Sequence, residues 1–459
     1  MKDLLVQKFG GTSIGTAERM LNVASIVKTT LAQGSPVAVV LSAMSSRVKN
    51  EGTTSMLLAA AAAALEKGPY YKIVDQLEER HFEAVEGSIR NQVVLSAVRD
   101  EVHQEFKKLK SFLDAIAVIG EISARSNDVI VSVGEKLAAR IFAGVLNDQG
   151  VDAEYLNLEA VIAKGYREVN LDFCQDLQKT FAHLVQGCSG KVPVITGFFG
   201  PVPGGIIKSI GRGYTDFTAA LVAAGCQAKE LQIWKEVDGI FSADPNKVEK
   251  ARVLPRITPE EAMELTYYGS EVIHPFTMEQ VTRALVPVRI KNTFNPVLEG
   301  TLIDPRESVN GGHKPAAVTV KRGVTLLNIY SNRMLMAYGF MSKVFDVLSR
   351  HEIVIDLIST SEVNISMTLA QGQNIEQAMA ELAGLGKVTL EADKAILSLV
   401  GRGMRHTAGM AGKMFACLGA KGINILAISQ GASEINISCV IEDRQAIEAL
   451  QAVHSLLEP

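Results

Sequence analysis

Short apolar runs alternate with longer amphipathic stretches through roughly the first 300 residues of the chain. Five runs have the length and composition of buried strands: Val37–Leu41, Val129–Val133, Val192–Thr196, Leu231–Trp234 and Val286–Ile290. Strands that alternate with helices predict an α/β fold, in which helices cover both faces of a mostly parallel open sheet. Because such sheets bind ligands at the carboxyl ends of their strands, the residues that follow each run are the candidates for chemistry.

The pattern changes after a stretch dense in turn residues, which we interpret as a linker over residues 303–316. Two units of similar size follow, predicted over 317–392 and 393–459, and each has the ferredoxin-like order βαββαβ. A similar five-residue segment occupies the same place in both units, as Glu362–Ser366 and Glu434–Ser438. This recurrence indicates an internal repeat. The second unit lacks a clear last strand, and the extra run 317–321 can supply one by exchange between the units.

Composition narrows the class of protein. The 459 residues are 47% apolar and carry a formal net charge of −4, which allows large cores and argues against a nucleic-acid surface. The longest apolar run, Met56–Leu65, is too short for a membrane span and predicts a packed helix. The five cysteines show no paired spacing, and the first residues show no signal pattern. We therefore expect a cytoplasmic protein without a disulfide framework, a zinc site or a membrane partner.

The first candidate site is the run Lys8–Gly15, which lies between an apolar strand and an amphipathic helix predicted over Ala17–Lys28. The adjacent Gly10 and Gly11 let the backbone approach a ligand closely, and the helix behind them presents unpaired N–H groups. Lys8 adds a mobile cation before the turn. These features suit a polyphosphate. The alternative is an ordinary strand-to-helix turn, because a lone glycine motif is a weak signal.

Other polar and aromatic residues follow or end the remaining runs. The hydroxyl groups of Ser42 and Thr54 can bind phosphate or substrate, and the carboxylate of Glu135 can bind an ammonium group. Loop and helix capping are the alternative roles for all three. Trp234 can hold an adenine or belong to the core. His274 precedes a proline and is expected to be a structural turn residue rather than a general base.

The sharpest local signal is the segment Gly211–Thr218. Arg212 lies between two glycines there and can bind a carboxylate through two parallel hydrogen bonds. Asp216 lies near the start of an alanine-rich helix predicted over Phe217–Gly225, so that capping is one role open to it. The other role is to orient the reacting groups or to hold Lys8.

Together these segments resemble the aspartokinases, members of the amino-acid kinase superfamily, over essentially the whole chain. The matching motifs are Lys8–Gly15, Ser42-Ala43, Ser132–Glu135, Thr196–Phe198, Gly211–Gly213 with Asp216, Val237–Ile240 and His274-Pro275. The two C-terminal units resemble ACT domains, the amino-acid-sensing modules attached to these kinases. The resemblance implies an amino-acid kinase fold and a catalytic domain over residues 1–302, followed by the linker and the two ACT domains.

The implied reaction is phosphoryl transfer from MgATP to the β-carboxylate of L-aspartate, giving 4-phospho-L-aspartate on the route to lysine, threonine and methionine. A carboxylate is already a nucleophile, so catalysis requires positioning and charge neutralisation rather than a strong base. By resemblance, Lys8 would stabilise the transferring phosphoryl group and Asp216 would organise the reacting groups. Arg212 would bind the α-carboxylate of aspartate, and Glu135 would bind its α-ammonium group.

The resemblance also implies a set of binding contacts. The aspartate pocket would be lined further by Ser42, Thr54, Phe198 and Thr215. Backbone and hydroxyl donors to the nucleotide would come from Gly10, Gly11 and Ser13. The nucleotide would be framed by Trp234, Lys235, Val237, Phe241, Pro245 and Lys247. Magnesium would accompany ATP as the cofactor.

The chain departs from the family pattern at three places. Many members have Gly-Gly-Ser before the aspartate, whereas this chain has Gly213-Tyr214-Thr215, which keeps a hydroxyl group at Thr215. Many carry an ATP-contacting lysine where this chain has Glu271-Val272, and a negative charge near phosphates cannot replace it. The usual arginine after Asp-Pro is Asn246 here, so Lys247 is the candidate substitute. The segment Tyr267–Glu271 resembles a threonine-sensitive subgroup.

An effector amino acid is expected at the first ACT unit. The candidate contacts are Met334, Gly339, Phe340, Met341, Ile355, Asp356, Thr360, Ser361 and Glu362. Gly339 begins a helix whose N–H groups suit an α-carboxylate, and Asp356 and Glu362 supply negative charge for an ammonium group. Lysine-sensitive relatives tend to have histidine where Met336 stands, so we favour threonine over lysine. Because ACT units commonly pair edge to edge, we expect a homodimer or a dimer of dimers.

Two alternative functions stay open. A glutamate-type amino-acid kinase acts on a substrate one methylene longer, which a pocket distinguishes by only about 1–3 kcal/mol. Paired ACT repeats favour aspartate over glutamate. A non-catalytic amino-acid sensor would keep the fold without the chemistry. The presence of Lys8, Glu135, Arg212 and Asp216 argues against the sensor.

Overall fold

The computed structural model describes residues 3–46, 48, 51–162, 165–211, 213–267, 273–306, 315–334, 338–370, 372–404 and 406–457. Arg212, Met336 and the segment 268–272, which carry predictions above, lie outside the described residues, as does most of the predicted linker. The chain forms two compact units. The first contains residues 1–240, 255–259 and 273–307, and the second contains 241–254, 260–272 and 308–459.

Helices and strands alternate in the first part of the chain. In chain order they are β1 (Leu5–Phe9), α1 (Ala17–Ala32), β2 (Val37–Leu41), α2 (Thr53–Leu65), α3 (Tyr70–Ser88), α4 (Gln92–Ile119), α5 (Ala124–Asp148), β3 (Ala153–Leu156), α6 (Leu171–Gly187), β4 (Val192–Thr196), α7 (Ile206–Ser209), α8 (Tyr214–Gly225), β5 (Glu230–Lys235), β6 (Arg256–Ile257), α9 (Pro259–Tyr267), α10 (Pro275–Arg283), β7 (Val288–Asn292) and β8 (Thr301–Ile303). Met56–Leu65 falls within α2, which confirms the predicted packed helix.

The remaining elements belong to the second unit. They are β9 (Ala317–Tyr330), α11 (Phe340–Arg350), β10 (Ile355–Thr360), β11 (Asn364–Leu369), α12 (Glu376–Leu382), β12 (Lys387–Val400), α13 (Met410–Ala420), β13 (Ala427–Gln430), β14 (Asn436–Glu442) and α14 (Ala446–His454). Among the described residues, the structure contains no helix that is both long enough and apolar enough to span a membrane.

The sheet of the first unit has the strand order β3-β4-β2-β1-β5-β7-β8-β6. Its pairs are parallel except for β7 with β8, which confirms the predicted mostly parallel sheet. The central strand β1 is buried along its whole length and pairs with β2 on one side and β5 on the other. The next two strands in the chain, β2 and β3, lie on one side of β1, whereas β5 lies on the other. Such a switch point is where open α/β sheets bind their ligands.

One predicted strand is wrong. Val129–Val133 is part of the long helix α5, whose side chains are mostly buried. A short apolar run cannot be assigned to strand or buried helix from periodicity alone. The local signals for a helix are Ser123, whose hydroxyl oxygen accepts the N–H of Ser126 as an N-cap, and the alanines that continue the run. The functional groups of this segment therefore project from a helix rather than from the end of a strand.

The second unit is built on a six-stranded antiparallel sheet with the order β10-β11-β9-β12-β14-β13. Its two central strands, β9 and β12, are each 14 residues long. The beginning of β9, Ala317–Lys321, pairs with Ile396–Val400, and its end, Leu326–Tyr330, pairs with Lys387–Glu391. Segments that the sequence pattern divides into separate strands of two repeats are thus continuous, and both repeats share one sheet.

Close packing of α8 on α6 generates a stability prediction. A Cβ atom at Gly225 would lie 2.1 Å from the carbonyl oxygen of Gln178, a backbone atom that cannot easily move. We expect Gly225→Ala to lower the free energy of unfolding by about 1–3 kcal/mol through overpacking, although alanine is the better helix former. Gly187→Ala, at an open position of α6, is the control and should cause no loss. Urea denaturation of both variants is the measurement, and equal stability would contradict the expected clash.

Candidate active site

A buried ion pair joins the central strand to the start of α8. The Nζ atom of Lys8 lies 2.6 Å from Oδ1 of Asp216, and the side chains are 9% and 10% exposed. The helix begins at Tyr214 with Gly213 as its N-cap residue, so Asp216 lies in the first turn and is not the cap. Its carboxylate is therefore available to hold Lys8 at the carboxyl end of β1.

The charges around Asp216 keep it ionised. Burial alone favours the neutral carboxyl, but the positive charges of Lys8 and Lys235 outweigh it and hold the pKa of Asp216 below its ordinary value. Its position in the first turn of α8 adds the favourable field of the helix N-terminus. The arrangement is a fixed ammonium group that is paired on one side with a permanent negative charge.

The glycine turn after β1 brings two loops together. Gly11 begins a 3-10 turn over Gly11–Ile14, and a Cβ atom there would lie 2.3 Å from the carbonyl oxygen of Ala43. The N–H of Ser45 donates to the carbonyl of Gly11, which ties this turn to the loop after β2. Only glycine allows this approach. The hydroxyl of Ser13 is buried and hydrogen-bonded to that of Thr293 at 2.9 Å.

A cavity of about 340 Å³ opens between these loops, α5 and α8. It is lined by Gly11, Thr12, Ser42, Ala43, Met44, Ser45, Ser46, Gly52, Thr53, Thr54, Ser55, Glu135, Ile207, Tyr214 and Thr215. The structure thus brings together four of the residues predicted for an aspartate pocket, namely Ser42, Thr54, Glu135 and Thr215. Phe198 is fully buried and is not among the lining residues. Tyr214 and Ile207 line the cavity without having been singled out as binding residues from the sequence.

Glu135 is the buried carboxylate of this cavity. Its Oε1 atom accepts a hydrogen bond of 2.5 Å from the hydroxyl of Tyr214, and its Oε2 atom meets no hydrogen-bond partner among the described residues. Burial raises the pKa of Glu135 to about 7, against the opposing effects of Tyr214, the backbone of Ala43 and the charge of Lys8. Glu135 is therefore ionised above neutral pH and becomes neutral below it.

A second buried carboxylate on α5 shapes the opposite wall. Asp128 lies two helical turns before Glu135 and accepts the N–H groups of Ile206 at 2.8 Å and Val202 at 3.3 Å. It thereby fixes the start of α7, which presents Ile207 to the cavity. Sequence reasoning missed Asp128, because the strand assignment hid the spacing of the two carboxylates on one helix.

The residues predicted for the nucleotide fall into two groups. In the first unit, Trp234 belongs to the core and stacks on Phe9 with ring centroids 5.6 Å apart, while Val237 is half exposed. The ring of Trp234 is therefore part of the core rather than a surface for an adenine. Phe241, Pro245 and Lys247 belong to the second unit, where Lys247 pairs with Asp244 at 2.8 Å. His274 caps α10, as expected of a structural turn residue.

The predicted effector residues lie around the start of α11 and along β10. Gly339 is the N-cap of α11 with a φ of 74°, a conformation that favours glycine, and no side chain of the described residues caps this helix. Phe340 is buried, and Met334, Met341 and Ile355 pack against the core beneath it. Asp356 is buried and bound to Lys321 of β9, with Oδ1 2.7 Å from Nζ. Thr360 ends β10, and Ser361 and Glu362 form the turn that follows.

Comparison with known proteins supports the same interpretation. The amino acid kinase family model matches residues 3–292, and an ACT domain model matches residues 327–383 and 397–457. The chain is 45% identical to the aspartokinase of Schizosaccharomyces pombe, over 100% of this chain and 93% of that protein. It is 42% identical to the aspartokinase of Saccharomyces cerevisiae, over 99% and 92%.

The chain belongs to the aspartokinase family. Solved structures of the family share its fold over the whole length. E. coli aspartokinase III in complex with aspartate and ADP matches with a TM-score of 0.80 at 29% identity, over 99% of this chain and 100% of that one. The same enzyme in complex with lysine and aspartate matches with a TM-score of 0.81 at 29% identity, over 100% of both chains.

The role of Asp128 gives a prediction about this wall of the cavity. Asp128→Ala leaves two backbone N–H groups without their acceptor, and we expect a loss of about 1–3 kcal/mol in the free energy of unfolding. Asp148→Ala is the control, because Asp148 accepts the N–H of Asn91 near the surface, where water can replace it. Chemical denaturation of both variants tests this. A smaller loss for Asp128→Ala than for the control would contradict the structural role.

Proposed function

We propose that the cavity beside Lys8 is the aspartate pocket of an ATP-dependent aspartate kinase, which transfers the γ-phosphate of ATP to the β-carboxylate of L-aspartate. The observation that carries the proposal is that the buried Lys8–Asp216 pair adjoins the cavity: Thr215, the residue before Asp216, lines the cavity, and the charge of Lys8 acts on its buried carboxylate, Glu135. The sequence kinship to aspartokinases over the full chain agrees with it.

The polar groups of the cavity suit an amino-acid substrate. The carboxylate of Glu135, whose buried Oε2 atom lacks a hydrogen-bond partner among the described residues, is complementary to the α-ammonium group. The hydroxyl groups of Ser42, Thr54 and Thr215 can donate to carboxylate oxygens. Arg212 is assigned to the α-carboxylate on its sequence context alone, because it lies outside the described residues.

The chemistry needs no base. One oxygen of the substrate β-carboxylate forms a bond to the γ-phosphorus, the bond from that phosphorus to the β–γ bridging oxygen breaks, and ADP leaves with the electron pair. Negative charge spreads over the transferring phosphoryl group, and Lys8 neutralises it. Asp216 holds the ammonium group of Lys8 in place, so that little reorganisation is needed when the charge develops.

Magnesium enters the proposal as part of the MgATP substrate. The described residues contain no group of three or more His, Cys, Asp or Glu side chains arranged to hold a metal ion. Mg²⁺ bound with ATP keeps several waters and phosphate oxygens and needs only one or two carboxylates from a protein.

One assay separates this function from the two alternatives. The protein is incubated with MgATP and either aspartate or glutamate, ADP release is measured, and the acyl phosphate is trapped with hydroxylamine. We expect hydroxamate with aspartate only. Hydroxamate with glutamate only would indicate the glutamate-type kinase. ADP release and hydroxamate with neither substrate would indicate a sensor and contradict the proposal.

Lys8 should act mainly in the transition state. We expect Lys8→Ala to lower kcat by about 10²–10³-fold or more with a much smaller change in the KM for aspartate, because its charge matters most during transfer. Steady-state kinetics with both substrates is the measurement. Lys110→Ala is the control, since Lys110 is also ion-paired, but to Asp75 and Glu78 rather than to Asp216. A Lys8→Ala variant with nearly normal kcat would assign Lys8 to packing alone.

Regulation by an amino acid at the first ACT repeat is part of the proposal. The support is the N-terminus of α11, which no described side chain caps, and the acidic Glu362 that follows β10. Asp356 is less accessible than its assigned role requires, because it is paired with Lys321. We retain threonine as the favoured effector.

A homodimer is also proposed, since β10 and β13 are the edge strands of the six-stranded sheet and can pair with a second copy. A cytoplasmic location agrees with the five free thiols of the chain.

The effector site is tested through Asp356. At fixed aspartate, we expect inhibition by threonine to exceed inhibition by lysine. We expect Asp356→Ala to raise the half-inhibitory concentration of threonine at least tenfold, because the substitution removes a negative charge from the proposed site. Lys321→Met distinguishes a direct contact of Asp356 with the effector from an effect of its ion pair with Lys321. If Lys321→Met reduces the sensitivity equally, the ion pair rather than a direct contact is responsible. Unchanged inhibition in Asp356→Ala, or none by either amino acid, rules out the proposed site.

A further inference from the structure

Glu135 poses an electrostatic problem for the proposed pocket. A carboxylate can attract an ammonium group only when it is ionised, and this carboxylate is buried to 98% in a cavity wall. With its pKa raised to about 7, Glu135 would be half protonated at neutral pH in the free enzyme. The surroundings must therefore supply groups that stabilise its charge.

Tyr214 is the side chain that contacts this charge most directly. Its hydroxyl donates to Oε1 of Glu135 at 2.5 Å, and the tyrosine itself is 3% exposed. The hydroxyl of Thr54 in turn bonds to the phenol oxygen. These two hydrogen bonds link Thr54 on α2, Tyr214 on α8 and Glu135 on α5, with each hydroxyl donating to the next residue.

Two other charged groups act on these hydrogen-bonded residues. Lys8 on β1 acts on Glu135 as a positive charge, and Asp128, also on α5, acts on Tyr214 as a negative charge. Burial and the negative charge of Glu135 raise the pKa of Tyr214 well above its ordinary value. The phenol therefore remains a neutral donor throughout the working range of the enzyme, and its proton points to the carboxylate.

We propose that Tyr214 is a positioning residue that fixes the Glu135 carboxylate to receive the α-ammonium group of aspartate. By engaging Oε1, the phenol leaves Oε2 as the acceptor for the substrate. The proposal rests on the proposed function of the cavity and extends it to a residue outside the substrate contacts assigned above.

The test is Tyr214→Phe, which removes the hydroxyl and keeps the ring. We expect the KM for aspartate at neutral pH to rise about tenfold or more, because a charge-assisted hydrogen bond to the carboxylate is lost. The kcat at saturating aspartate and the KM for ATP should change by less than about twofold, since the chemistry lies at Lys8.

The pH dependence of kcat/KM for aspartate is a further measurement, because a purely structural role of Tyr214 would not shift it. Loss of the donor raises the pKa of Glu135 further, so the acid limb of kcat/KM for aspartate should move to higher pH in Tyr214→Phe. Well above that pKa, Glu135 is ionised in both enzymes, and the difference should shrink. Profiles from about pH 6 to pH 9 cover both regimes.

The matched control is Tyr166→Phe. Tyr166 also donates to a carboxylate, that of Asp176 at 2.7 Å, but neither residue lines the cavity. We expect this variant to keep both the KM for aspartate and the pH profile. An unchanged profile in Tyr214→Phe, or an equal loss for both substrates without a shift in pH, overturns the positioning role.

Glu135→Gln separates this proposal from the function on which it rests. If Glu135→Gln leaves the KM for aspartate unchanged, the assignment of Glu135 to the substrate is wrong, whatever Tyr214 does. If Glu135→Gln raises that KM and abolishes the acid limb, Tyr214→Phe in the same background should produce no further shift. A shift that persists there would assign the effect of Tyr214 to another titrating group and overturn the proposal.

Discussion

The ion pair between Lys8 and Asp216 is the constraint around which the first unit is organised. Two charges taken out of water are costly unless each meets the other in good geometry, so β1 and the start of α8 must lie together. Such a pair contributes little net stability compared with apolar packing. Its value is that a cation is held ready, at the switch point of the sheet, before any substrate arrives.

Helix α5 complements this arrangement from the other side of the cavity. It is one of the most buried helices described, yet it carries Asp128 and Glu135 in its interior turns. Each carboxylate is matched to a different donor set: backbone N–H groups for Asp128 and a phenol for Glu135. Because these partners come from α7 and α8, the three helices fix the shape of the pocket together.

The sequence predicted the alternation of strands and helices, the internal repeat and the glycine turn, because each depends on local periodicity or on a backbone need. Thr54, Glu135 and Thr215 were found through motifs, and the structure brings them to one cavity. The role of Tyr214 could not be predicted from the sequence, since its partner Glu135 lies 79 positions away in the chain. The continuity of β9 and β12 was equally hidden, because bulges near Glu391 and Lys394 interrupt the alternation that marks a strand.

The two long strands of the second unit have a consequence for the independence of its repeats. Ferredoxin-like repeats that share both central strands cannot be cut apart at any single point, since each half would lose strand partners for its core. The two ACT repeats are therefore joined within one sheet, and neither can be deleted without removing strand partners of the other.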